Sequence, residues 1–232
     1  MSRPMTDKPR QLPLDLALTP RYGAEDFLVS PCNEAAYALI ERWPDWPHPV
    51  LRLVGPEGAG KTHLAAIWAE RAGARVADAA AVTLPAVPAL AGAPALVVED
   101  CDRSPLDEHA FFHLLNAMRS TGRSLLLTAR TAPEAWGLAT PDLLSRLRQS
   151  PAVDIGAPDE ALLRAVLVKL FVDRQLVVDT SVVESVLPRM ERSLAAAQRL
   201  VAALDREALS RGRRITRPLA LAVLDMLAMG DG

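Results

Sequence analysis

A glycine-rich segment that ends in a lysine and a threonine carries the strongest chemical signal in the sequence. Residues 55–62 match the pattern G-x-x-x-x-G-K-[ST] at every fixed position. Glycines let backbone N–H groups approach phosphate oxygens, and the start of a following helix favours an anion. We expect the Lys61 ammonium to reach the β- and γ-phosphates and the Thr62 hydroxyl to bind Mg²⁺. The predicted nucleotide-binding residues of this loop are Gly55, Pro56, Glu57, Gly58, Ala59, Gly60, Lys61 and Thr62.

Two acidic residues after an apolar run would complete such a site. Glu99 and Asp100 directly follow the Leu-Val-Val of residues 96–98. One carboxylate, together with Thr62, would coordinate Mg²⁺ directly or through water, and the other would orient a water molecule. Glu before Asp reverses the commoner order, which predicts weak intrinsic hydrolysis. The predicted cofactors are therefore ADP or ATP with Mg²⁺, and the alternative is an ordinary charged strand end.

Short apolar runs that alternate with helical patterns must position these residues. Strands are predicted at residues 50–54, 95–99, 124–128 and 152–155, and helices at residues 34–43, 61–72, 106–120 and 141–148. This alternation is typical of an α/β fold, in which helices cover both faces of a parallel sheet. The loop at residues 55–62 falls between a predicted strand and a predicted helix, which is the context that the phosphate pattern requires.

The pattern changes after Pro158. Helices are predicted at residues 159–174, 181–190, 194–209 and 218–227, with no strand among them. This shift indicates a second, all-helical domain. We therefore predict a flexible tail at residues 1–20, an α/β base at residues 21–157 and a helical domain at residues 158–232.

Composition argues against several classes of protein. The chain has 232 residues, of which 26 are Lys or Arg and 28 are Asp or Glu, so a strongly basic nucleic-acid binder is not expected. The longest uncharged apolar stretch, at residues 76–98, is interrupted by one Asp and three Pro, so no membrane span or membrane partner is expected. The N-terminus has no secretory pattern, and the two cysteines make no disulfide framework. These features predict a cytoplasmic protein.

Several segments are informative as a set. They are FLVSPCNEAA at residues 27–36, GKTHL at 60–64, FFHLLN at 111–116, LTARTAP at 127–133 and PDLLSRL at 141–147. Together they resemble the DnaA-related AAA+ family of bacterial replication proteins, over most of the chain. The resemblance implies an AAA+ P-loop NTPase module with a parallel-sheet α/β base and a C-terminal all-helical lid. It also places Asn33 beside the adenine, His63 in the nucleotide-binding loop and Arg146 in the arginine-finger segment.

The predicted tail contains a short motif that is also found in this family. Short members of the family consist of the AAA+ module alone and begin with a clamp-binding motif of the type Q-L-x-L-x-L. Alternation turns the leucines of such a motif to one side of an extended peptide. The matching residues here are Gln11, Leu12, Leu14 and Leu16. The alternative is a tail that packs on the body of the protein or has no function.

The resemblance implies a negative regulator of chromosomal replication initiation. Such a protein binds the DNA-loaded sliding clamp (beta) of DNA polymerase III through its tail, and so meets DNA indirectly. It promotes hydrolysis of DnaA-bound ATP, with Arg146 as the arginine finger, and its own ATPase is weak. The sequence leaves open whether the protein forms homo-oligomers through the finger face. It also leaves open two other functions: an autonomous AAA+ ATPase, and a DnaA-like adaptor or loader that acts on another replication partner.

Two positions depart from the family pattern. Arg130 stands in the sensor 1 segment where the family more often has an acidic residue. Ala195 stands at the place of the sensor 2 arginine, with Arg192 and Arg199 as alternative sources of that cation. Both departures predict weaker discrimination between ATP and ADP, which a protein that holds nucleotide as a structural ligand would tolerate.

Two further charge patterns are weak signals. The basic run at residues 206–217 is more typical of a solvated turn near a helix end than of a direct DNA contact. His109 and His113 have the i, i+4 spacing of a helical metal pair, but no third ligand is evident. We therefore expect no metal site besides that of Mg²⁺.

Overall fold

The protein is described from a computed structural model that covers residues 23–103, 105–211 and 214–230. The predicted tail and its clamp-binding residues lie outside this range. Contacts divide the chain into an α/β unit, Arg21–Leu162 with Arg192–Ala195, and a helical unit that includes Leu163–Glu191 and Ala196–Gly232. Each unit contains more than one stretch of the chain, so it does not correspond to a single predicted segment. The predicted boundaries after residues 20 and 157 therefore stay predictions.

Five parallel strands in the described part of the chain form the sheet of the α/β unit, in the order β2-β3-β4-β1-β5. They are β1 Val50–Val54, β2 Arg75–Asp78, β3 Ala95–Glu99, β4 Ser124–Ala129 and β5 Ala152–Asp154. The predicted α/β class with a parallel sheet is confirmed. Strand β2 was not predicted. It is a mostly exposed edge strand and lacks the apolar run by which buried strands are recognised.

Helices cover both faces of this sheet. They are α1 Glu34–Glu41, α2 Lys61–Ala72, α3 Val87–Ala91, α4 Glu108–Ser120 and α5 Pro141–Gln149. Alternate residues of each strand face opposite apolar layers. Leu96 and Val98 of β3 pack on the side of α3, α4 and α5, whereas Val97 packs on the side of α1 and α2. The loops at the carboxyl ends of the strands are thus held between two dense layers.

The α1 and α2 layer contains three of the four tryptophans. Trp68 is fully buried. Trp46 stacks on it with ring centres 4.9 Å apart, and Trp43 meets it edge-on at 6.3 Å. The fourth, Trp136, packs against the opposite layer. All four therefore belong to the α/β unit.

The C-terminal part of the chain is helical, as predicted. Its elements are α6 Glu160–Asp173, α7 Thr180–Val186, α8 Leu194–Arg211 and α9 Arg217–Gly230. The side chain of Asp179 accepts a hydrogen bond from Ser181 N at 2.8 Å and so caps the start of α7. Helix α7 ends four residues earlier than the predicted range, where Pro188 supplies no N–H for a further helical hydrogen bond. Buried apolar residues of the helical unit include Leu167, Phe171, Val186, Leu200, Leu204 and Val223.

Candidate phosphate-binding site

The loop between β1 and α2 has the backbone shape that its glycines permit. Gly60, directly before α2, has φ 104°, a conformation that residues with a side chain rarely adopt. A Cβ atom on Gly55 would lie 2.3 Å from the carbonyl oxygen of Ile155, so only glycine fits there. Gly60 has no side chain with which to cap the first N–H groups of α2. A helix start of this kind is suited to an anion.

The Lys61 ammonium lies inside this loop. Its Nζ donates hydrogen bonds to the carbonyl oxygens of Gly55, at 2.7 Å, and of Pro56, at 2.9 Å. The side chain is buried, and this burial lowers the pKa of Lys61, whereas the carboxylates of Asp100 and Asp102 raise it. A buried cation near open N–H groups concentrates positive charge at the start of α2.

Thr62 and Glu99 are two of the residues predicted to hold Mg²⁺. Burial raises the pKa of Glu99, and an interaction with the Thr62 side chain opposes that shift. The other observation is that Glu99 Oε1 is buried and receives no hydrogen bond from the described residues. A hydroxyl beside a carboxylate with an orphaned oxygen fits Mg²⁺, which prefers oxygen ligands and binds through one or two carboxylates.

Asp100 lies in a different environment from Glu99. Its backbone has φ 57°, and its N–H donates to Thr128 Oγ1 of β4 at 3.0 Å. The carboxylate accepts a hydrogen bond from Arg103 Nη1 at 3.0 Å. The two acids that the sequence pairs thus have separate partners. Glu99 faces Thr62, whereas Asp100 is engaged by an arginine in the same loop.

Asp102 is a residue of the site that sequence reasoning missed. Its side chain is only 4% exposed. Oδ2 accepts three hydrogen bonds, from the N–H groups of Arg130 and Thr131 and from the Thr131 hydroxyl, at 2.8 to 2.9 Å. The signal that could have found it is the third acid within four residues, E-D-C-D at residues 99–102. Asp102 fixes the backbone that follows β4.

The start of α8 lies on the phosphate loop, within the α/β unit. Leu194 N donates to the carbonyl oxygen of Gly58 at 2.8 Å. Ser193 is 2% exposed, and a Cβ atom added to Gly58 would lie 2.5 Å from the Cβ of Ser193. Ala195, at the predicted sensor 2 position, thus follows directly after residues that contact the loop. Of the alternative cations, Arg192 is exposed and Arg199 pairs with Glu191 at 3.3 Å.

Asn33 and His63, both predicted to bind nucleotide, lie in an aromatic corner beside the loop. Phe27 stacks on Tyr37 with ring centres 5.5 Å apart and meets the His63 ring edge-on at 5.2 Å. Asn33 is buried. Its Nδ2 donates to Leu28 O at 3.0 Å, and its Oδ1 accepts from Ser30 N at 2.8 Å. These two hydrogen bonds stabilise the turn before α1. Its contact with a nucleotide stays a prediction, as does that of His63.

Helix α5 is fixed at both ends. Before its first turn, the Glu108 carboxylate accepts hydrogen bonds from Ala139 N at 2.8 Å and Thr140 N at 2.7 Å. An interaction with the Thr140 side chain, together with the hydrogen bond from the Ala139 N–H, lowers the pKa of Glu108. At the other end, the buried Arg52 of β1 donates to Ser150 Oγ at 3.1 Å and to its carbonyl oxygen at 3.0 Å. Ser150 is the residue directly after α5.

Arg146, the predicted finger, lies on α5 and is half-buried. Its guanidinium carbon is 4.7 Å from the centre of the Phe112 ring on α4, a cation–π distance. Leu143 and Leu147 turn the apolar side of α5 into the core. The described contact of Arg146 is therefore with α4 and not with the phosphate loop.

Solved structures of other proteins share this architecture, although no family model and no curated protein matches the sequence. Domain III of the replication initiation protein DnaA from Thermotoga maritima is 16% identical with a TM-score of 0.78, over 89% of this chain and 97% of that one. AMPPCP-bound DnaA from Aquifex aeolicus is 17% identical with a TM-score of 0.69, over 85% of this chain and 69% of that one. The RuvB Holliday junction branch migration motor from Thermotoga maritima is 17% identical with a TM-score of 0.63, over 84% and 67%.

The chain has a DnaA-like AAA+ fold. Within it, the residues predicted to bind phosphate and Mg²⁺, at 55–62 and 99–100, come together at the carboxyl ends of β1 and β3. Arg130 joins them from β4, although the sequence left its role in doubt. Arg146 lies on another face of the AAA+ module, formed by α4 and α5. The individual roles of these residues stay predictions.

The two weaker signals of the sequence concern a histidine pair and a basic run. His109 Nε2 and His113 Nε2 lie 2.9 Å apart, and no group of three metal-ligating side chains is found among the described residues. The basic run at residues 206–217 includes two residues outside the described range. No helix in the described part of the chain is long and apolar enough to cross a membrane.

Proposed function

We propose that this AAA+ protein is a regulator of the Hda type, the DnaA regulatory inactivator. It would hold ADP or ATP, bind the DNA-loaded sliding clamp and promote hydrolysis of DnaA-bound ATP. The observation that supports the proposal is that Lys61 and Arg146 lie at separate places on one α/β unit. The phosphate loop holds Lys61 internally, while Arg146 lies on the face formed by α4 and α5.

Nucleotide binding would use the loop at residues 55–62. Its open N–H groups and Lys61 would bind the phosphates, and Thr62 with Glu99 would hold Mg²⁺. Bound Mg²⁺ would neutralise phosphate charge and so supply electrostatic stabilisation. The AMPPCP-bound DnaA from Aquifex aeolicus, which has the same fold, supports the binding of a nucleotide.

Arg146 would act on a nucleotide that another molecule holds. A finger that serves its own site must reach its own phosphate loop, whereas Arg146 is stacked on Phe112 of α4. The anchors at both ends of α5 keep its backbone in place while the guanidinium remains partly exposed. A finger supplied in trans accelerates hydrolysis by about 10³–10⁵-fold, because it stabilises charge on the transferring phosphoryl group. The same face could also meet a second copy of this chain.

Weak intrinsic hydrolysis is part of the proposal. Asp100, one of the two acids expected to bind Mg²⁺ or to orient the attacking water, is paired with Arg103 at 3.0 Å. A regulator that keeps its own nucleotide gains from such an arrangement. An autonomous ATPase would need this carboxylate free, which is why we rank that alternative second. The other alternative, an adaptor, differs from the proposed regulator only in the replication protein on which it acts.

The test is an assay of DnaA loaded with labelled ATP, incubated with this protein and DNA-loaded clamp. We expect faster conversion to ADP that requires the clamp and is lost in Arg146→Ala. Arg148→Ala is the matched control, because Arg148 lies on the same helix but pairs with Glu134 at 2.7 Å. Equal loss in both variants would contradict the finger assignment. Clamp binding without any acceleration of hydrolysis would favour the adaptor.

A further inference from the structure

Two exposed histidines on α4 meet through their ring nitrogens. His109 and His113 are four residues apart, so their side chains lie one above the other on the same side of the helix. Their Nε2 atoms are 2.9 Å apart. The ring centres are 4.5 Å apart, with an angle of 69° between the planes. Two nitrogens of the kind that most often bind metals in proteins therefore converge on one point of the surface.

The backbone that carries the two histidines is held in place. The Asp107 side chain accepts a hydrogen bond from Ala110 N at 3.0 Å and so caps the first turn of α4. The other side of the helix is buried in the core through Phe111, Leu114, Leu115 and Met118. An ion that binds both histidines therefore has to order two side chains and no backbone, which keeps the entropic cost of binding small.

The distance between the two nitrogens selects the geometry of a bound ion. An imidazole–metal bond is about 2.0–2.1 Å long, so an ion bound to both nitrogens at their separation of 2.9 Å would make an N–metal–N angle of about 90°. Neighbouring positions of square-planar and octahedral complexes, which Cu²⁺ and Ni²⁺ adopt, have this angle. A tetrahedral Zn²⁺ site would need nitrogens about 3.3–3.4 Å apart. The histidine pair thus fits Cu²⁺ or Ni²⁺ better than Zn²⁺.

The carboxylates that precede the pair in the sequence are already engaged. Asp107 caps α4, and Glu108 accepts hydrogen bonds from Ala139 N and Thr140 N. No group of three metal-ligating side chains exists in the part of the chain that the structure describes. A bound ion would therefore keep its other coordination positions for water. The sequence predicts no site here because it offers no third ligand, but two convergent imidazoles can bind a divalent ion as a chelate.

We propose that His109 and His113 form a binding site for a divalent transition metal ion, Cu²⁺ or Ni²⁺, which the two Nε2 atoms hold in neighbouring coordination positions. The site differs from the predicted Mg²⁺ site, which offers oxygen ligands to a hard cation. It borders the face that carries Arg146, because His113 meets the Phe112 ring edge-on at 6.0 Å and Arg146 lies over the same ring. A bound ion would add positive charge to that face.

The experiment is isothermal titration calorimetry of the untagged full chain with Ni²⁺, in excess Mg²⁺ so that the predicted Mg²⁺ site is filled. We expect Ni²⁺ to bind more tightly than Zn²⁺. His109→Gln and His113→Gln should each weaken Ni²⁺ binding by at least about tenfold, since losing even a residue that orients a metal ligand costs about that much. His48→Gln removes another histidine of the α/β unit. It is the matched control and should bind Ni²⁺ like the unaltered chain.

A second measurement identifies the ligands directly. The electron paramagnetic resonance spectrum of the chain with bound Cu²⁺ should show coupling to two imidazole nitrogens, and to one in either histidine variant. Equal Ni²⁺ binding in the unaltered chain and both variants would place the ion elsewhere and overturn the proposal, as would no binding at all. Loss in only one variant would overturn the chelate, and tighter binding of Zn²⁺ would overturn the inferred geometry. Thermal melting shows whether each variant is folded.

Discussion

Arg103 contacts Asp100, one of the two carboxylates between which the sequence leaves the metal-binding and water-orienting roles open. Its Nη1 is 3.0 Å from Asp100 Oδ2, and this hydrogen bond raises the pKa of Arg103. Because Asp100 has a positive φ, its side chain direction is set by the turn and not by a regular strand. One exposed arginine therefore forms an ion pair with one of the two acids on which intrinsic hydrolysis would depend.

We expect Arg103→Ala to raise the basal rate of ATP hydrolysis by about two- to fivefold, the range that an exposed ion pair can contribute. Steady-state release of phosphate by the isolated protein measures this. Asp100→Asn should lower the rate, and the double variant should show no rise, since the freed group is then absent. A rate in Arg103→Ala at or below that of the unaltered chain would contradict the assignment.

At the scale of the element, α5 depends on a buried cation. Arg52 lies on β1 and is 8% exposed, and burial lowers its pKa. Its two hydrogen bonds to Ser150 link the middle of the sheet to the end of the helix that carries Arg146. An arginine within a strand looks like a solvent-facing residue in the sequence, yet this one turns into the core.

Removal of this cation should loosen the end of α5. We expect Arg52→Met to lower the free energy of unfolding by about 1–3 kcal/mol, because Ser150 loses two buried hydrogen bonds. Urea denaturation measures the change. Arg148→Met, which breaks only the exposed pair with Glu134, should cost about 0–1 kcal/mol. Equal costs in the two variants would show that the Arg52 bonds do not stabilise the helix end.

Local patterns were predictable from the sequence, and long-range contacts were not. The phosphate loop and four of the five strands follow from consecutive residues, as glycine spacing and apolar runs are local signals. Strand β2 was not predicted, because an exposed edge strand needs no apolar run. Asp102 and Ser193 have a different reason, because their partners are distant in the sequence: those of Asp102 follow β4, and Ser193 contacts Gly58 from the start of α8. Such contacts depend on the whole fold.

At the scale of the whole molecule, the proposed function depends on the tail. The double variant Gln11→Ala and Leu12→Ala should abolish clamp binding while the melting temperature stays unchanged, because the motif is a short peptide that would insert into a groove of its partner. Surface plasmon resonance on immobilised clamp measures the binding. Leu18→Ala lies outside the motif and is the matched control. Retained binding in the double variant would remove the clamp from the proposal.

The placement of the four tryptophans has a practical consequence for spectroscopy. Indole emission reports only on the α/β unit, and it should be dominated there by the cluster around the buried Trp68. Circular dichroism at 222 nm, by contrast, reports on the helices of both units, among which α6, α8 and α9 are the longest. The two optical signals therefore sample different parts of one chain without any label. If their melting curves superimpose, the module unfolds cooperatively, and if they separate, the helical unit has a stability of its own.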